Sequence, residues 1–186
     1  MNARIDLETG RQTVTTIEYD PKFMLHLFQY MAWGDEMGLA AARAVRDEEY
    51  YKPRGFSAGS IHNLLVHQMV SQKIWLGRWN GVNATRMEDQ TDHPTRELLE
   101  ERWPRVRREL LDFAGRQTAE SLAAVTAVRR TTGEPLALPL GAMMMHLADH
   151  GNYHRGQLNS MLKFAGAATA YPAYYRYFMQ TQARPT

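Results

Sequence analysis

The sequence predicts an all-α fold: a four-helix bundle with a short hairpin before the last helix. Three observations lead there. Four segments of helical length carry apolar residues at a 3.6-residue period. The stretches between them are rich in turn-forming Gly, Pro, Asn and Thr. Only the residues around Thr131-Thr132-Gly133-Glu134 read as a pair of strands joined by a turn. At 186 residues the chain suffices for one domain, 1–186, with a substantial core.

Residues 1–20 are polar and mixed and read as a loose lead-in. Helix one starts at Pro21, a favourable first-turn residue, and extends to about Asp47. Phe23, Leu27, Tyr30 and Met31 form its apolar face, continued by Met37, Ala41 and Val45. Gly34 and Gly38 weaken the case for an unbroken helix. Residues 50–59 read as a loop. Ser60 is a good N-cap for helix two, which continues to about Trp79 with Ile61, Leu64, Leu65, Trp75, Leu76 and Trp79 on one face. Gln68 and Gln72 share that face, so its middle is polar and suggests a wet cavity. Helix three covers about Thr95 to Thr118, with Leu98, Leu99, Val106, Leu110 and Phe113 inward and Pro104 predicting a kink or a late start. Ala124–Arg129 and Leu136–Leu138 form the hairpin. Helix four spans Leu140 to Ala165 without a proline. The aromatic tail, Tyr171 to Phe178, packs as a final turn. The linker over 80–94 could extend to roughly 50 Å. A 20-residue helix is only ~30 Å long. That length permits an overhand crossover leaving helices two and three parallel.

Composition narrows the function classes. Lys and Arg number 22 against 20 Asp and Glu, a net charge of +2, so no polybasic surface points to nucleic acid. There is no cysteine, which removes disulfides, thiolate ligands and a protein thiol nucleophile, and is compatible with the cytoplasm. No apolar run reaches membrane-spanning length, and Met1-Asn-Ala-Arg-Ile-Asp lacks the apolar core of a signal peptide.

The chemistry concentrates in Met143-Met-Met-His-Leu-Ala-Asp-His-Gly-Asn-Tyr-His-Arg-Gly-Gln157. His146, His150 and His154 stand at steps of four, which drift only about 40° on a helix. With Met143 as the zero of the wheel, Leu147, Leu158, Met161 and Ala165 lie within roughly 60° of it, and His150 and His154 within about 20°. His146 lies about 60° off, at the edge. The pattern places two histidines in the middle of an apolar stripe, where each ring nitrogen needs a partner. An i, i+4 pair can chelate one ion. His146 and His154 are two turns apart, about 12 Å of rise, so any chelating pair includes His150. Another element must complete the site. His93 reads as a surface residue before Pro94, His62 as a cap or surface residue and His26 as a surface or packing residue. His67 flanks the polar middle of helix two, and the pattern alone leaves open whether it faces the same cavity. The methionines 143–145 read as core and interface filler. Arg102, Arg105, Arg107 and Arg108, interleaved with Glu100, Glu101 and Glu109, read as a solvated helix face.

Gly59-Ser-Ile-His-Asn-Leu-Leu-Val-His67 followed by Ile74-Trp-Leu-Gly-Arg78 resembles the second helix of the DinB-like (DinB/YfiT) family. Gly133-Glu-Pro, then His150-Gly-Asn-Tyr-His154-Arg-Gly-Gln157, resembles that family's last helix, and Tyr30-Met-Ala-Trp33 fits its first. The resemblance covers nearly the whole chain in order. It implies an up-down-down-up four-helix bundle, a homodimer, and a three-histidine metal centre made here by His67, His150 and His154. Many relatives carry an acidic residue where this chain has Gln72. Many also carry an Asp after the tail proline, where this chain has Ala173 and Tyr174.

Three neutral imidazoles leave a divalent ion with open positions, the mark of a catalytic site. Zn or Ni suits imidazole best, with Fe or Mn as alternatives. The ion lowers the pKa of a bound water or thiol. Thiol-dependent branches of the family imply a low-molecular-weight thiol as a second cofactor. The resulting expectation is a metal-dependent enzyme, hydrolase or thiol transferase, acting on a small molecule. A non-enzymatic stress- or damage-related metal-binding protein is one alternative, and a hydrogen-bonded histidine cluster without metal another. Asp149 and Tyr153 point off the stripe and take no catalytic role.

Overall fold

The computed structural model describes residues 17–182; the first sixteen residues of the expected lead-in lie outside that range. Four long helices form a bundle: α1 (Pro21–Arg43), α3 (Ile61–Trp79), α4 (Arg96–Gly115) and α6 (Leu140–Phe164). Three start on a capping side chain, of which the sequence reading named Ser60. Asp20 accepts from the Lys22 amide at 2.8 Å, Ser60 from the Asn63 amide at 3.0 Å and Thr95 from the Leu98 amide at 3.2 Å. The antiparallel hairpin pairs β1 (Val125–Arg129) with β2 (Pro135–Pro139), in register from Val125 opposite Pro139 to Arg129 opposite Pro135. Its turn uses Gly133 at φ +90°, a conformation costly for any residue with a Cβ.

Contacts along the helices fix their directions. Gly151 meets Met31, Arg155 meets Gly34 and Leu158 meets Gly38, so α1 and α6 are parallel. Trp75 packs on His146 while His67 meets His154, so α3 opposes α6. Trp103 bonds Gln72 and Phe113 stacks on Trp79, so α4 is parallel to α3. The topology is up-down-down-up, with the overhand linker between α3 and α4. Neighbours around the bundle are α1–α6, α6–α3, α3–α4 and α4–α1.

Several expectations need correction. The first helix stops at Arg43, and Asp47–Tyr51 form a separate short α2 with three acidic residues in its first turn, so Tyr50 and Tyr51 are not loop. A second short helix, α5 (Ala119–Ala123), is closed by a reciprocal Thr118–Ser121 capping box. Helix α1 is unbroken through Gly34 and Gly38 because close crossing by α6 needs them. A Cβ there would lie 3.0 Å from Arg155 Nε and 2.9 Å from a Leu158 methyl respectively. Helix α4 begins at Arg96 and continues through Pro104, with Trp103, Val106 and Leu110 buried on both sides of it. The tail is a helix, α7 (Tyr174–Gln182), tied to α1 by Tyr30 Oη donating to Pro172 O at 2.7 Å and by a His26–Tyr174 hydrogen bond at 3.0 Å.

Two histidines read as surface or cap residues are interior. The linker folds back on α3 and buries His93 to 1% exposure and His62 to 2%. His62 Nε2 donates to His93 O at 2.7 Å; His93 accepts from Arg102 at 3.0 Å and donates to Glu88 at 2.8 Å. Arg107 also leaves the solvated face of α4. It is buried and reaches Glu36 at 3.5 Å.

The centre of the bundle holds a polar layer, with one contribution from each long helix. Arg155 donates to Asp35 at 3.2 Å, Gln72 Nε2 donates to Asp35 at 2.6 Å, and Trp103 Nε1 donates to Gln72 Oε1 at 2.8 Å. Burial drives the Asp35 carboxyl above its usual range, against the opposing pull of Arg155 and Gln72. Gln68 is also buried, with neither amide atom partnered among the described residues.

Candidate metal centre

The helix-four reading needs one further correction. The buried face of α6 has Met143 and Met161 at one edge, Leu147, Gly151, Leu158, Met144 and Leu162 in its middle, and Arg155 and Ala148 at the other edge. Its centre is rotated by roughly 80° from the stripe centred on Met143. His150 and His154 therefore stand on the flank of the core, half-buried, not in its middle. The pattern misplaced them because it took Met143 as the centre of the stripe, whereas burial continues past Gly151 to Arg155 and Ala148. The flank position matters chemically, since a ligand can reach it.

The structure brings His67, His150 and His154 together. Their Nε2 atoms form a triangle with edges of 3.0 Å (His150–His154), 3.1 Å (His67–His154) and 3.3 Å (His67–His150). Helix α6 supplies two rings one turn apart, and antiparallel α3 presents the third across the groove. His146 stays outside the triangle. It is exposed, its ring 6.1 Å from that of His150, and it packs edge-on against Trp75 at 5.4 Å.

Hydrogen bonding alone does not satisfy this triangle. The Nε2 of a neutral imidazole is either a donor or an acceptor. Three such atoms in mutual contact can make at most two good donor–acceptor pairs, leaving one edge with like facing like. The His154 tautomer is set by Gln157, whose Oε1 accepts from Nδ1 at 2.7 Å and also accepts from Ser57 Oγ at 2.9 Å. That leaves the His154 Nε2 lone pair free and aimed at the other two rings. A cation fits the arrangement. Nitrogens held about 2.0–2.1 Å from one ion lie roughly 2.9–3.4 Å apart between octahedral and tetrahedral angles. All three observed edges fall in that interval.

Electrostatics agree. Burial, followed by His154, His67 and His146, pushes His150 down to about 4. Burial and then His154 lower His67; burial lowers His154, with Gln157 opposing. At neutral pH the rings are uncharged, the form that binds metal. No carboxylate appears among the hydrogen-bond partners of the three rings in the described residues. Tyr153 is 63% exposed and lies beside His154 with ring centroids 5.1 Å apart.

The sequence reading gave Gln157 no role. The signal was present: it stands three residues after His154, on the same helical face. Ser57 was not accessible to such reasoning. Its contact with Gln157 depends on a loop that places Ser57 at φ +56°.

Comparison with known proteins adds context. The profile of the DinB family matches residues 14–185. Protein DinB of Bacillus subtilis (strain 168) is 23% identical over 167 residues, covering 86% of this chain and 96% of that protein. The crystal structure of a DinB-like protein from Bacillus cereus ATCC 10987 superimposes with a TM-score of 0.56 at 17% identity. The match covers 77% of this chain and 93% of the other, and shows that the fold is shared.

Proposed function

The chain belongs to the DinB family, and on that premise we propose that it is a metal-dependent enzyme whose divalent ion is held by His67, His150 and His154. The observation that carries the proposal is the triangle of Nε2 atoms, whose edges suit one ion and cannot all be hydrogen bonds. When bound, a divalent ion on three imidazoles supplies Lewis acidity and lowers the pKa of a water or thiol presented to it. Zn or Ni suits the all-imidazole set best, with Fe or Mn as alternatives. The chain's own residues prepare the site. Gln157 fixes the His154 tautomer, Ser57 fixes Gln157, and burial keeps the rings neutral. The three histidines are half-buried rather than enclosed, which supports approach by a small-molecule substrate.

The reaction class we propose is hydrolysis or transfer to a low-molecular-weight thiol. With no cysteine in the chain, any thiol must come from outside. Co²⁺-substituted protein tests this reading. Its visible spectrum should change on adding a small thiol, and His154→Ala should lose the response. A spectrum indifferent to thiols, carboxylates and azide would contradict an open site. A second reading, a metal-binding protein without turnover, is favoured by the lack of a carboxylate base on the rings. Failure to turn over any thiol acceptor despite ligand exchange supports that second reading.

We also propose a cytoplasmic homodimer that needs neither nucleic acid nor a membrane. Among the described residues no helix is long and apolar enough to cross a membrane. Exposed Phe23, Met145 and Tyr174 surround an apolar cavity of about 400 Å³ on the α1–α6 face, which supports self-association. Sedimentation should show a dimer at tens of micromolar, and a monomer there contradicts it.

A further inference from the structure

Three arginines are buried in the described structure: Arg78, Arg107 and Arg155. Two of them face carboxylates, Glu36 and Asp35. Arg78 has neither a carboxylate nor a hydrogen-bond acceptor among the described residues. It is only 9% exposed, its Nε is buried and unpartnered, and its guanidinium lies over the Trp75 ring, 4.7 Å from the centroid. Burial and then the nearby Arg130 lower its pKa. Its Nε is shut off from water without a partner, which is unfavourable and only partly compensated by the π-face of Trp75, while its terminal nitrogens stay open to solvent without a protein acceptor among the described residues.

Arg78 lines a cavity of about 490 Å³. The cavity lies between α3, α6 and the tip of the hairpin. Trp75 and Leu138 give it an apolar side, Thr131 and Thr132 add hydroxyls, and His146 closes the end nearest the three-histidine centre. Arg130 and Glu134 also line it but satisfy each other at 3.2 Å, both more than half exposed. The uncommitted charge in the cavity is therefore that of Arg78. His146 is a wall of this cavity and also the neighbour of His150, at 6.1 Å between rings. Eleven residues of α3 separate His67 from Arg78, about 16 Å of rise, shortened by the reach of both side chains.

We propose that this cavity binds the carboxylate or phosphate end of an elongated small molecule through Arg78, with the molecule's apolar body along Trp75 and Leu138. Guanidinium is the cation best matched to such oxyanions, and the two threonine hydroxyls are donors of the right kind beside it. That the other end of the ligand reaches the three-histidine centre rests on the function proposed above. The anion site itself rests on the cavity and the unpartnered guanidinium alone.

The test is titration of the full chain, freed of metal by a chelator, with benzoate, phenyl phosphate and neutral benzamide. Calorimetry gives Kd, and amide and indole shifts locate the probe. At least one anion should bind with millimolar affinity or better, and the tighter one identifies the oxyanion as carboxylate or phosphate. Benzamide should bind about tenfold more weakly or not at all, the loss expected when a charge-assisted hydrogen bond is removed. Shifts should centre on the Trp75 indole and on Thr131 to Gly133. Arg78→Met should weaken anion binding at least tenfold, and Arg78→Lys should recover part of it. If Arg78→Met does not fold, the comparison of benzoate with benzamide and the shift map on the unmodified chain decide. No binding of either anion, equal binding of benzamide, shifts elsewhere, or a folded Arg78→Met variant of unchanged affinity would each overturn the proposal. Because the titration is done without metal, anion binding in a chain that proves unable to hold any metal would sink the metal reading and leave this one standing.

Discussion

Replacing Asp35 with Ala removes the counter-charge from the centre of the bundle. The Asp35 side chain is 0% exposed and that of Arg155 4%, so solvent cannot rescue the guanidinium left behind. Breaking a buried pair from one side costs about 3–5 kcal/mol. Gln72 Nε2 also loses its acceptor, about 1 kcal/mol more. The better helix propensity of Ala returns only ~0.5 kcal/mol. The net loss should be about 3.5–5.5 kcal/mol, a fall in Tm of roughly 7–22 °C for a chain of this size. Asp35→Asn keeps one carbonyl acceptor, so only one of the two donors, Arg155 or Gln72, retains its partner, and it should cost less than Asp35→Ala without being neutral. Adding Arg155→Met to Asp35→Ala should recover at least ~2 kcal/mol, because an apolar pair of similar size no longer buries a lone charge. Urea denaturation followed by far-UV circular dichroism measures all four proteins. A cost under about 1 kcal/mol for Asp35→Ala, or no recovery in the double variant, would refute the view that this layer is a committed ion pair.

Two further outcomes follow from the geometry. Gln157→Leu removes the acceptor that orients His154 and should weaken metal affinity about 10–100-fold while leaving the fold intact, as read by metal competition against a chelating dye. His62 has its pKa lowered, mainly by burial, so the folded state disfavours its proton. Its contribution to stability is therefore fully present above the ordinary histidine pKa and lost as pH falls through the depressed folded value. The three site histidines act in the same direction, so the measurement is the difference between the original chain and His62→Gln. The loss of unfolding free energy between pH 7.5 and pH 5 should be smaller in His62→Gln, and identical slopes contradict the assignment.

Much of this architecture is legible in the sequence, for reasons tied to particular residues. Asp20-Pro21, Ser60 and Thr95 mark helix starts because caps act locally, and Thr131-Thr132-Gly133 marks the hairpin because its turn needs a left-handed residue. The i, i+4 spacing of His150 and His154 shows two rings one turn apart on one helix face. The third member, His67, is suggested by resemblance and brought to the pair by the antiparallel packing of α3 on α6. What stays hidden depends on partners far away in sequence. Arg155 and Asp35 are 120 residues apart, so nothing local shows that the arginine turns inward, and a face read from apolar residues alone comes out rotated. His93 becomes interior only because a proline-bearing linker folds onto α3. The five-residue helices α2 and α5 are too short to show any period.

The central claim is a single ion on three named nitrogens, and metal analysis of protein purified without a histidine tag tests it most directly. The account predicts one divalent ion per chain. It also predicts that His67→Ala, His150→Ala and His154→Ala each empty the site, and that His146→Ala leaves it filled. A tag-free chain that binds no divalent ion when dialysed against excess Zn²⁺ or Ni²⁺, or a site emptied by His146→Ala and kept by His67→Ala, would contradict it.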